Sequence, residues 1–147
     1  MHPTNLPLMF TSLSFLLPYF AAHETNNPTS AFVWGTLTVT STLVHTTKQP
    51  YHLYGPGNCI GWLYAVDTVA LYAATARAVV DAWAAGPVSR WVAGLTILYA
   101  SAMFYGGQAT SQFVYSPSVE MAILSHATTH LLAAWGGTAA IYARALR

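Results

Sequence analysis

The stretch NCIGWLYAVDTVALYAATARAVVDA, residues 58–82, decides how this chain folds. It is apolar over more than the roughly 20 residues a helix needs to cross the hydrocarbon core of a bilayer. Deep inside it stands a carboxylate, Asp67. An ionisable group at that depth is costly and marks a functional position by default. The segment therefore raises two expectations together: a membrane helix, and a reason for Asp67 to be in it.

The whole chain has the same character. Of its 147 residues 54% are hydrophobic and 6% charged, where soluble domains carry about a quarter charged residues. So few charges cannot solvate a surface of this size. The formal net charge of +1, with no basic or acidic block, speaks against nucleic acid as a partner. The single cysteine, Cys59, excludes an internal disulfide and a CxxC zinc site. No lipidation signal stands at either end.

Four further apolar segments flank the first. The expected fold is all-α, a polytopic membrane helix bundle of about five transmembrane helices in one domain, 1–147. The spans are approximately 6–22, 30–46, 58–82, 90–106 and 117–143. HETNNPT (23–29), TTKQPYHLYGPGN (46–58), AAGPVS (84–89) and GQATSQFVYSPS (107–118) separate them, with Pro and Gly as breakers. Pro18 is expected to kink the first span, and Pro117 to open the last. The first segment lacks a basic leader and reads as a membrane helix, against the alternative of a cleaved signal peptide.

Alternation through five spans sets the sides. The N-terminus and the loops at 47–57 and 107–116 share one side and hold only Lys48. Arg77, Arg90, Arg144 and Arg147 lie near the other. The excess of basic residues is cytoplasmic in membrane proteins. The expectation is an integral multi-pass protein with its C-terminus cytoplasmic and its N-terminus outside or lumenal. The aromatic run YHLYGPGNCIGWLY (51–64) then belongs at the outer interface, and His52 within it is expected to be solvated.

Asp67 has company at its depth. Ser41 and His45, one helical turn apart in STLVH (41–45), approach the outer side from the second span. His126 and His130 in SHATTH (125–130) enter from it on the fifth. Asp81 and Glu120, nearer helix ends, are expected to reach interfacial water and to be structural. Taken alone, each polar residue has a bland reading: a serine bonding its own helix, or an Asp–His pair joining helices. Five residues from three helices at one depth argue for one site. Three imidazoles, His45, His126 and His130, leave a fourth tetrahedral position for water, the catalytic form of a zinc site. Zn²⁺ would lower the pKa of that water to about 7. Asp67 is placed to accept its proton or to orient a ligand, and Ser41 to donate a hydrogen bond to the water or a developing oxyanion.

These residues resemble the signature of a superfamily of seven-span membrane hydrolases. It includes alkaline ceramidases, adiponectin and progestin receptors, and phospholipases acting on glycosylphosphatidylinositol anchors. The shared pattern is a Ser four residues before a His in the second span, an Asp in the third and HxxxH in the last, matched here by STLVH, YAVDTVALY (64–72) and SHATTH. A Gln-Pro following the His, as in STLVHTTKQP, resembles the phospholipase branch most. The resemblance implies zinc on His45, His126 and His130, with Asp67 and Ser41 around the activated water, and hydrolysis of a lipid amide or ester. It covers three of the five segments. The family has seven spans and this chain has room for five. The two it lacks fall between the third and the last, so completion of the cavity by a homo-oligomer is one expectation.

Two other functions compete. Two facing histidines such as His45 and His126 would suit the axial positions of a b-type haem in an electron-transfer protein, although a haem gives Asp67 no role. A receptor-like or scaffold membrane protein would use the metal only to join helices.

Overall fold

The computed structural model describes residues 5–47 and 61–147, and every regular element among them is helical. Five rods result. The first comprises α1 (Leu6–Ser12), a 3₁₀ turn (Leu13–Phe15) and α2 (Leu16–Glu24). The second is α3 (Pro28–Thr47) and the third α4 (Gly61–Ala85). The fourth runs through α5 (Pro87–Ser101), a π-helical turn (Ala102–Gly106) and α6 (Gly107–Thr110). The fifth is α7 (Val119–Ala145). By length and composition two of the five, Leu6–Glu24 and Gly61–Ala85, are apolar enough to cross a membrane. Lys48, His52, Cys59 and most of the aromatic run expected at the outer interface lie outside the described residues.

Local chemistry accounts for the breaks. Pro18 has no N–H to offer the carbonyl of Ser14, four residues back. The first rod tightens into its 3₁₀ turn at that place. The Ser14 hydroxyl turns back to the carbonyl of Thr11 at 2.6 Å. Between α4 and α5 the chain reverses at Gly86, whose φ of +116° belongs to glycine. A Cβ there would also collide with the guanidinium of Arg147. Pro87 then opens α5 from its first turn. The last helix starts two residues later than Pro117 suggests. Ser118 takes the N-cap, and its hydroxyl accepts the N–H of Met121 at 3.3 Å, leaving Pro117 outside the helix.

Leu8, Phe15, Trp34, Leu37 and Ile141 fill the interior together with many small and hydroxyl residues, and many other large apolar side chains face outward. α7 is central, in contact with α1, α2, α4 and α5. Its buried positions include Ala122, Ser125, Thr129, Ala134, Gly137 and Ala140. Gly137 lies under the ring of Trp34 so closely that a Cβ would fall 2.4 Å from the indole, so only glycine fits at that contact. Phe32 (75% exposed), Trp91 (75%) and Trp135 (71%) face outward, and α5 buries no residue at all. Helices that meet through small residues and present large apolar side chains outward are suited to lipid as the surrounding medium.

At the end of the bundle formed by the C-terminus of α4, the start of α3 and the C-terminus of α7, Asp81 is wholly buried. It does not reach interfacial water, because side chains from three helices close over it. Arg77 and Arg144 both pair with its carboxylate. The Ser30 hydroxyl donates to Oδ2 at 2.7 Å and the Asn27 amide to Oδ1 at 3.4 Å. Arg77 is 16% exposed and Arg144 41%. Loss of the carboxylate therefore strands mainly Arg77, while Arg144 regains water. Asp81→Ala is expected to destabilise the fold by about 3 kcal/mol, the low end for a broken buried ion pair. The check is a lower thermal midpoint in detergent micelles; an unchanged midpoint would show that the cluster contributes no stability.

Candidate metal centre

The opposite end of the bundle holds three imidazoles. His45 sits in the last turn of α3. His126 and His130 lie one turn apart on α7, and the i, i+4 spacing puts them on one face. All three are buried, and their potential ligating atoms lie within 4.8 Å of one another. Ring centroids are 5.0 Å apart for His45–His126, 5.3 Å for His45–His130 and 4.7 Å for His126–His130. Zn–N bonds of about 2.0–2.1 Å place tetrahedral ligands roughly 3.3 Å apart. Ring rotations that move the nitrogens by an ångström or so would close the set on one ion. Three buried imidazoles this close together could hold a metal ion.

Aromatic rings line two sides. Phe15, at the 3₁₀ turn, meets His130 edge-on at 5.3 Å between centroids. Phe104, carried by the π-helical turn of the fourth rod, meets His126 edge-on at 5.1 Å. Extra backbone in a π turn commonly re-aims a side chain at a functional position.

The other two residues singled out in the sequence both bear on α3. Ser41 is buried one turn before His45, its Oγ 3.0 Å from the Oγ of Ser12. Asp67 accepts the hydroxyl of Thr40 at 2.8 Å, which ties its carboxylate to α3 one residue from Ser41. The cluster of potential metal ligands comprises the three histidines and does not include Asp67.

Two residues of α1 were not anticipated. Thr11 Oγ1 stands 3.0 Å from Nδ1 of His130, and Ser12 reaches Ser41. Their signal was present in MFTSLS (9–14): adjacent hydroxyls at Thr11 and Ser12, about a turn and a half inside an apolar segment, at the depth of the other site residues. Single hydroxyls in an apolar helix usually bond their own backbone, and both of these also do so. Each donates to the carbonyl of Leu8, at 3.2 Å from Thr11 and 2.8 Å from Ser12.

A groove runs between the first rod and α3. Its volume is about 750 Å³, and Tyr19, Phe32, Gly35, Thr36 and Val39 are among its lining. None of the three clustered histidines lines it, while Thr40, which donates to Asp67, does. Compared with known proteins, the chain matches no protein-family model, no curated protein and no solved structure.

Proposed function

We propose that the chain is a zinc-dependent membrane hydrolase of a lipid amide or ester, a reduced member of the seven-span superfamily that its motifs resemble. The observation that carries the reading is the convergence of His45, His126 and His130, buried and within ligand distance of one another. In this reading all five rods cross the bilayer, the C-terminus is cytoplasmic and the metal lies in the outer half. The apolar exterior supports it, as does the segregation of Arg77, Arg90, Arg144 and Arg147 toward the other end.

Zinc held by three neutral imidazoles supplies a Lewis acid and an activated water near neutral pH. The remaining work falls to the chain. Thr40 holds Asp67 against α3, from where the carboxylate takes the proton of the attacking water and returns it to the leaving group. The Ser12 hydroxyl hydrogen is committed to the carbonyl of Leu8, which cannot donate in return. The Ser12–Ser41 contact is then made by the hydrogen of Ser41. That leaves Ser41 as an acceptor that orients the attacking water, in preference to the oxyanion donor expected from its position alone. Phe15 and Phe104 keep bulk water from the imidazoles.

The haem alternative fits poorly. A macrocycle gripped by any two of the histidines would have to pass through the third, which touches both. The remaining rival is a metal that only joins helices. Metal analysis of the purified protein, paired with hydrolysis of fluorescent ceramide and diacyl phospholipid in micelles, separates the cases. The proposal expects about one zinc per chain and turnover of one substrate class. Zinc without turnover of either class favours the structural role, and a Soret band in place of zinc favours haem.

A further inference from the structure

The first rod reaches the histidines from outside the metal-binding helices. Thr11 Oγ1 contacts two groups: the carbonyl of Leu8 at 3.2 Å and Nδ1 of His130 at 3.0 Å. A threonine hydroxyl has one hydrogen, and a backbone carbonyl can only accept. If the hydrogen goes to Leu8, as the helical i−3 bond directs, then Oγ1 is an acceptor toward His130 and the ring must supply the proton from Nδ1. An imidazole protonated at Nδ1 and otherwise neutral carries its lone pair on Nε2, the form in which it can bind a metal.

We infer that Thr11 is a positioning residue that fixes His130 as its Nδ1–H tautomer and aims Nε2 at the metal position. This rests on the zinc reading given above. Three features of the fold serve it. The 3₁₀ turn at Leu13–Phe15 begins two residues after Thr11 and packs against α7. Phe15 packs edge-on against the same ring at 5.3 Å, limiting its rotation. The Ser14 oxygen lies 3.5 Å from the His130 carbonyl oxygen, so the two rods approach closely there, while its hydrogen goes to the carbonyl of Thr11. Partners of this kind are worth about 10–100-fold in metal affinity where they have been removed.

The test has a metal-free arm and a zinc arm. In the first, full-length protein labelled with ¹⁵N-histidine is stripped of metal in micelles, and the ring nitrogens of His130 are assigned by NMR. The expected result is an Nδ1–H tautomer in the wild type that Thr11→Val loses and Thr11→Ser keeps. In the second, zinc is titrated against a chelating dye. Thr11→Val, nearly isosteric, is expected to weaken zinc by about 10–100-fold, with Thr11→Ser close to wild type and helicity unchanged in all three. An Nε2–H tautomer in metal-free wild type overturns the inference, as does a Thr11→Val protein that binds zinc as tightly as wild type. A wild type that binds no zinc defeats the proposed function instead, and the NMR arm still decides the tautomer.

Discussion

Replacing His126 with alanine is expected to empty the centre, from about one zinc per chain to almost none. Two imidazoles cannot hold the ion where three can, and no other potential ligand among the described residues joins the cluster. Hydrolysis should fall to background with it. The fold should survive, because the substitution removes one imidazole from a helix whose remaining buried positions still pack against its neighbours. Metal analysis and far-UV circular dichroism on the same preparation read both quantities. A His126→Ala protein that kept full zinc would place the ion elsewhere and end the three-histidine proposal. One that lost zinc and unfolded would favour a metal that only joins helices.

Asp67→Asn should act in the opposite way, sparing the metal and removing the chemistry. The amide keeps the shape of the carboxylate and can still accept from Thr40 Oγ1, so α3 and α4 remain tied at that depth. It cannot take a proton from water near neutral pH. The expected outcome is unchanged zinc content, unchanged melting temperature and a kcat lower by about 10²–10⁴-fold, the usual worth of a positioned acid–base group. Since the loss lies in proton transfer, KM should change little. Wild-type turnover in Asp67→Asn would remove the carboxylate from the mechanism, and loss of zinc would make it a structural partner of the histidines.

Much of this geometry could be read without coordinates, for a physical reason. In an apolar segment each polar residue stands out, and helix rise converts its position into depth. That arithmetic put His45, His126 and His130 at one level, and the structure brings those three rings together. The segments themselves were legible to within a few residues, since 6–22, 30–46 and 117–143 correspond to Leu6–Glu24, Pro28–Thr47 and Val119–Ala145. Whether all five cross a bilayer rests on the proposal above.

What escaped the reading depends on which faces meet. Asp81 looked peripheral because its distance along α4 is near the end. Its burial follows from Arg77, Ser30 and Arg144 arriving from three helices, which position along the chain does not encode. Thr11 and Ser12 were passed over because hydroxyls in apolar helices usually satisfy their own backbone, and these do that as well as reaching the site. The π-helical turn that carries Phe104 left no mark in composition. Pro18 did announce a break, but not that the break would fall between Thr11 and the ring packed on His130.

The bond between Thr11 and His130 joins positions 119 apart in the chain, and it has a consequence for biogenesis. A ribosome making this protein releases the first rod long before the last, so until α7 is inserted His45 waits without either partner imidazole. On the proposed zinc reading, the three-histidine site of the described residues is complete only once α7 is in place. In that reading metal capture would close assembly, and metal content would report whether the last helix has joined the others.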